Sequence, residues 1–213
     1  MRASAGKADF ERLARIAARL GRRKSRAKAK PALPALWFFT DPLRTPEPER
    51  ITARLPPGSG VVYRAFGAPD ALAVARRLRG IARARKLVLL IGADAALALA
   101  AGADGVHLPE RQGHRVRPLR HAHPRWRITM AAHEARALAA AARSGADAAV
   151  VSAVFPSRSP SAGPPIGPVR LARLAGSAEV AVIALGGVNA ATAPRLVGAR
   201  VAGFAAIEGL SGG

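Results

Sequence analysis

A chain of 213 residues suits one domain with a sizeable core, and eight strand-helix units fit that length compactly. It has no cysteine, which excludes disulfides, thiolate metal sites and a cysteine nucleophile and suits a reducing, cytoplasmic setting; its apolar runs are too short and interrupted to span a bilayer. The formal charge of +21 directs attention to nucleic acid, anionic membranes and phosphorylated metabolites as partners.

Residues 1–34 hold eleven Lys or Arg against Asp9 and Glu11, a net of +9, which leaves +12 spread over residues 35–213. Within this opening stretch, Lys7 to Leu20 is amphipathic: Phe10, Leu13, Ile16, Ala17 and Leu20 share one helical face, with Arg12, Arg15 and Arg19 on others. Such a helix suits the bottom of a barrel or a membrane surface. Acidic Asp9 and Glu11 in its first turns argue against a transit peptide. The run from Arg22 to Lys30 reads as a charged linker, closed by Pro31 and Pro34. Residues 1–34 are therefore set apart as a basic helix and linker from a domain spanning 35–213. Contact of that segment with nucleic acid or an anionic membrane stays open, although no aromatic residue is interleaved with the charges of the run from Arg22 to Lys30 to stack on a base.

From Ala35 onward, apolar runs alternate with alanine-rich helical patterns. Leu36–Thr40, Val61–Phe66, Leu87–Ile91, Gly105–Leu108, Trp126–Met130, Ala148–Phe155, Val180–Leu185 and Val201–Ala206 read as strands. Helices are expected over Ala68–Ala84, Asp94–Ala101, His133–Arg143, Pro168–Leu174 and Ala190–Val197. This alternation implies parallel strands with crossover helices, and eight repeats imply a closed (β/α)8 TIM barrel. The joins repeat as well. Gly102-Ala-Asp104, Gly145-Ala-Asp147 and Gly198-Ala-Arg200 each place a glycine where a helix ends in a left-handed residue.

In such a barrel the chemistry sits at the C-terminal ends of the strands, with phosphates commonly held after strands seven and eight. Gly186-Gly187 ends the seventh strand, where backbone N–H groups without a Cβ in the way can approach a phosphate. Ala206 ends the eighth, and Asn189 is placed to cap the helix expected after the glycines. The same two glycines also serve as a plain strand-to-helix turn.

Ala101-Gly-Ala-Asp-Gly-Val-His-Leu108, Val154-Phe-Pro-Ser-Arg-Ser159 and Ala184-Leu-Gly-Gly-Val188, in this order and at these separations, resemble the thiamine-phosphate synthase and TenI family of barrels. The resemblance runs from about Leu36 to Ile207. It implies either joining of a pyrimidine pyrophosphate to a thiazole phosphate with magnesium, or aromatisation of a carboxythiazole phosphate by moving a proton, as TenI does. A small phosphorylated thiazole or thiamine phosphate is the implied ligand, and because the family often pairs, a homodimer is an expectation.

The departures from the family pattern favour the TenI-like role. Its Gln-x-Arg-x-Lys segment after strand two is Val62-Tyr-Arg-Ala-Phe66 here, which keeps only Arg64. The Asn-Asp pair after strand three is Gly92-Ala93, and the second metal-binding Asp is Gln112. Magnesium needs carboxylates beside substrate phosphate oxygens, so no metal or other cofactor is expected unless Asp94 or Glu110 compensates. The family's Thr-Lys-Thr-Lys-like loop appears as Ser157-Arg-Ser-Pro160; Ser157 and Ser159 keep hydroxyls for an anion, and Arg158 keeps a cation.

His133 follows strand five at the position that TenI-type enzymes use for acid and base. Imidazole suits that task because its unperturbed pKa is about 6.5. His107, inside the strand-four motif, is expected to face inward and shape the ligand pocket. His114, His121 and His123 have no metal-ligand spacing, and dinucleotide, P-loop and nucleophile-elbow patterns are absent. The alternatives to a TenI-like enzyme are a divergent synthase and a non-catalytic barrel that binds a phosphorylated ligand.

Overall fold

A computed structural model describes residues 2–21, 33–157, 159 and 163–211; the linker expected from Arg22 to Lys30 and Arg158 fall outside these described residues. Eight parallel strands pair in chain order and close on themselves. They are β1 (Leu36–Phe39), β2 (Gly60–Tyr63), β3 (Val88–Gly92), β4 (Gly105–Leu108), β5 (Arg127–Ala132), β6 (Ala148–Val151), β7 (Ala181–Ala184) and β8 (Gly203–Ala206). Apolar on both faces except for His107 of β4 and the start of β5 at Arg127 and Thr129, the strands pack against the barrel axis on one side and against helices on the other. The inner set includes Trp37, Phe39, Val62, Leu90, Val150, Ile183 and Ala205. Their neighbours Phe38, Val61, Leu89, Ile91 and Val106 belong to the outer layer that meets the helices. Trp37 fills the lower interior, its ring occupying the space that a Cβ on Gly60 would need. Its indole N–H donates to the Pro34 carbonyl at 2.7 Å.

Around the strands lie α1 (Arg2–Gly21), α2 (Pro48–Arg54), α3 (Ala71–Arg85), α4 (Ala95–Ala100), α5 (Val116–Ala122), α6 (Ala135–Ser144) and α7 (Gly167–Ser177). Neither α2 nor α5, nor the 3-10 helix Glu110–Arg115 that leads into α5, is expected from the sequence pattern. The helix expected over Ala190–Val197 is instead a single 3-10 stretch, Ala193–Leu196, because Pro194 removes a backbone donor within it. β2 and β6 also stop earlier than expected. Arg64 to Phe66 and Ser152 to Phe155 leave the ladder and build the mouth.

Helix α1 corrects the expectation that this segment covers the barrel bottom or lies on a membrane. It packs against β1, β8 and the 3-10 helices Ala193–Leu196 and Glu208–Leu210. Leu13, Ile16, Ala17 and Leu20 are buried in the same core as the strands, so the apolar stripe is covered by protein. With Asp9 at the mouth cavity and its C-terminus leading towards β1, α1 runs down the barrel wall as the other helices do. It fills the outer slot between β8 and β1.

The repeated joins have a shared construction. Gly102, Gly145 and Gly198 have φ of +64°, +85° and +99°, the left-handed region expected of helix-ending glycines. After the first, Asp104 accepts the Leu89 N–H at 2.8 Å and an Arg79 guanidinium bond at 2.9 Å. After the second, Asp147 accepts the Ile128 N–H at 2.8 Å and an Arg120 bond at 2.6 Å. Each aspartate thus ties the start of the preceding strand to the helix that leads into it.

Candidate functional site

The strand ends gather around a cavity of about 470 Å³ at the barrel mouth. Arg64, Ser157, Ser159, Gly186, Gly187 and Ala206 all line it, together with Arg44, Ser152, Asn189 and Glu208. A larger groove of about 590 Å³ lies on the flank between the 110–122 segment and α6. Its walls are helix sides, not strand ends, so the mouth is the better candidate on the general rule for barrels.

One wall is cationic. Arg64 follows β2, and its Nε donates to the Thr40 carbonyl at 2.7 Å while its backbone N–H donates to Thr40 Oγ1 at 2.9 Å. Its Nη2 also lies 3.4 Å from Asp41 Oδ2, which Arg44 Nη2 approaches at 2.7 Å. A single carboxylate therefore holds two guanidinium groups and leaves net positive charge on the wall. The Arg44 hydrogen bond holds the Asp41 carboxyl below the usual carboxylate range, although burial opposes it. Burial brings Arg64 down to about 10, against the pull of Asp41, so it remains charged at neutral pH.

The opposite wall is backbone. Gly186 and Gly187 have φ of +95° and +64°, and a Cβ on Gly187 would meet the Pro156 carbonyl and the Phe155 side chain. The glycines are therefore demanded by the approach of the 153–156 segment as well as by their dihedrals. Below them Asn189 Oδ1 accepts the Ala191 and Thr192 N–H groups at 2.9 and 3.0 Å. It caps a turn, because no α-helix follows.

The two histidines expected at the site take different places, and neither lines the cavity. His107 is buried in the barrel interior, its Nδ1 2.9 Å from Thr129 Oγ1 and its ring edge-on to Phe39 at 5.1 Å between centroids. Burial, with the charge of Arg64 second, pulls it down to about 3, so it is neutral across the physiological range. His133 stands exposed at the outer rim. Its Nδ1 lies 2.9 Å from the carbonyl of Ser152, a residue of the cavity wall. A carbonyl can only accept, so Nδ1 carries a hydrogen, and in the neutral ring the lone pair is on Nε2.

The carboxylates considered for a metal are engaged elsewhere. Asp94 Oδ1 caps α4 by accepting the Leu97 N–H at 2.8 Å, and Glu110 Oε2 accepts the His133 N–H at 3.2 Å. Gln112 Oε1 accepts from Arg115 at 3.2 Å, and a Cβ on Gly92 would come within 3.1 Å of Arg64 Cγ. Among the described residues no three His, Asp or Glu converge to hold an ion. Any magnesium here would rest on Asp94 or Glu110 together with substrate phosphate oxygens.

The Asp41-Arg44 pair escaped the sequence reading, although Asp41 Oδ1 accepts the Leu43 and Arg44 N–H groups at 3.2 and 3.1 Å in a local Asx-type turn. That pattern signals a turn and gives no hint of Arg64, more than twenty residues away. Asp9 and Glu208, which line the side of the cavity next to α1, also gave no sequence signal.

Residues 38–210 match the family model described as thiamine monophosphate synthase. The chain belongs to this family. A relative from Geobacter sulfurreducens, named as a putative thiamine-phosphate synthase, is 36% identical over 141 residues, or 65% of this chain and 66% of its own. An Aquifex aeolicus relative named as a second such synthase is 32% identical over 116 residues, or 54% of this chain and 62% of its own. The chain thus spans just under two thirds of each of these relatives. Among solved structures, a thiamine phosphate pyrophosphorylase from Pyrococcus furiosus superposes with a TM-score of 0.70 at 24% identity, covering 81% of this chain and 84% of that one. The YdjI aldolase from Escherichia coli K12 superposes at 0.59 with 12% identity, covering 81% of this chain and 75% of that one, and shares the barrel alone. For this member of the thiamine monophosphate synthase family, no described helix is long and apolar enough to cross a membrane.

Proposed function

We propose that this family member acts on a thiazole phosphate in the TenI manner, by moving a proton without magnesium or a pyrophosphate. The observation that carries this reading is the loss of the metal half of the site. Gly92, Ala93 and Gln112 stand where the family pattern has metal-side residues, and the neighbouring Asp94 and Glu110 already hold backbone amides. The phosphate would lie against the backbone at Gly186, Gly187 and Ala206, with Ser157 and Ser159 beside it. The substrate carboxylate would face the Arg64-Arg44 wall. His133 would take a proton on Nε2 from one ring position and return it to another, with no net gain or loss of atoms.

The test is an NMR assay of proton transfer on the carboxythiazole phosphate tautomer in magnesium-free buffer. Conversion by the intact protein and a loss of roughly 10²- to 10⁴-fold in His133→Ala are expected for a general acid-base residue. Failure of the intact protein to convert it would overturn the tautomerase reading. A second reading is a barrel that binds the phosphorylated ligand without turning it over. The exposed position of His133, outside the cavity lining, favours that alternative. It predicts saturable binding of the thiazole phosphate by calorimetry with no conversion. A divergent synthase would hold magnesium through Asp94 Oδ2 or Glu110 Oε1, the oxygens not bonded to the Leu97 and His133 amides.

A further inference from the structure

Because every strand runs from the barrel bottom to the mouth, the joins leading into strands all lie on the face opposite the cavity. The charges are sorted between the two faces. Of the 13 Asp and Glu in the chain, only Asp104, Asp147 and Glu179 lie in those joins. Two of these three are already taken up by Arg79 and Arg120. Asp41, Asp70, Asp94, Glu110, Glu134 and Glu208 instead stand at or near the mouth, between a strand's end and the following helix or 3-10 turn.

The bottom face has the opposite character. Arg83 and Arg85 end α3 and Lys86 caps it, Arg125 precedes β5, Arg143 lies in the last turn of α6 and Arg200 precedes β8; all six are exposed and none pairs with an acidic group among the described residues. Complementing the helix macrodipole accounts for a cation in the last turn of a helix, such as Arg83, Arg85 or Arg143. It leaves Arg125 and Arg200 unexplained, since they lie beyond the helices, whereas Lys86 caps the C-terminal end of α3. We propose that this face binds the phosphate backbone of duplex nucleic acid without reading its sequence.

Two features favour a duplex over the other polyanions. A membrane would call for a cluster of apolar side chains to insert beside the cations; among the described residues this side exposes two large ones, Leu99 in the last turn of α4 and Val197 in the join before β8, while Leu43, Phe66 and Val169 stand on the mouth side. The stripe of α1 is buried in the core. A single strand would call for stacking surfaces, and the one tryptophan near this face, Trp126, is stacked on His123 at 3.9 Å. What remains is a cationic surface rich in arginine, whose planar guanidinium suits phosphate oxygens. The inference does not depend on the chemistry proposed for the mouth.

The test measures binding of the full chain to a labelled mixed-sequence duplex of about two helical turns by fluorescence anisotropy, between about 50 and 200 mM salt. It compares three proteins of matched folding by circular dichroism: the unaltered chain, a bottom variant (Arg83→Gln, Lys86→Gln, Arg125→Gln, Arg200→Gln) and a control variant (Arg12→Gln, Arg111→Gln, Arg136→Gln, Arg170→Gln). The unaltered chain and the control should bind alike at low salt. The bottom variant should bind at least tenfold more weakly, with a log-log salt slope shallower by about 3 to 4, at about 0.9 per phosphate contact. Equal loss in both variants would show that total charge, not this face, drives binding and would overturn the proposal. So would the absence of duplex binding at low salt, or binding to phosphatidylserine vesicles but not to the duplex.

Discussion

His107 shows how the barrel sets the chemistry of a single side chain. It is enclosed between Phe39 and Thr129 with a guanidinium above it, so the folded state holds it neutral down to about pH 3 while the unfolded chain takes up a proton near 6.5. Between those values the unfolded state binds the extra proton, and stability must fall as the pH drops, by about 1.4 kcal/mol per unit from this residue alone. Urea unfolding at pH 7 and pH 5 should show that loss in the native protein, and His107→Gln should unfold with a shallower pH dependence. An identical dependence in the variant would mean the ring is not held neutral by its surroundings. Gly187 makes the complementary point. Its positive φ and the crowding by the 155–156 backbone fix glycine there whether or not a phosphate ever binds.

At the scale of elements, the Gly-Ala-Asp joins act as clamps that set where a strand begins. Asp147 is the less exposed of the two aspartates, at 10% against 31% for Asp104, so its charge-assisted bonds are screened less by water. Asp147→Ala should cost about 2 to 3 kcal/mol and Asp104→Ala about 1 to 2, measured by thermal or urea unfolding. Equal small losses would mean that the clamp contributes little. The strands themselves were legible in the sequence because a short, doubly buried strand is a short apolar run, and the joins because a left-handed helix end calls for glycine. Their limits were less so: Ser152 to Phe155 continues the apolar run of β6 after the ladder has ended. Helix α2 is only seven residues long and starts at a proline, which leaves too few turns for a periodic pattern. At the site, Gly186-Gly187 could be read from local pattern, and Arg64 only through the family resemblance. The Thr40-Asp41-Arg44 cluster that holds Arg64 could not, because folding alone brings β1 and β2 together.

For the molecule as a whole, α1 makes the basic N-terminal segment part of the barrel's own packing. Leu13 is fully buried among strand and helix side chains. Leu13→Ala should therefore lower the stability of the entire barrel by about 2 to 5 kcal/mol. Trp37 fluorescence should report the loss in the same transition as circular dichroism. A separate early transition, with Trp37 undisturbed, would show α1 to be an independent attachment. The segregation of charge belongs to this scale as well, since the shared direction of the strands gathers every join that leads into a strand on one face.

The position of α1 between β8 and β1 has a consequence in time. During synthesis its apolar stripe leaves the ribosome well before one of the strands it covers, at residues 203–206, is made. At about 5 to 20 residues per second, Leu13, Ile16 and Leu20 wait roughly 10 to 40 s for that partner. Over that interval a nascent chain of this protein exposes a basic amphipathic helix with nowhere to dock, the form in which a chaperone would meet it.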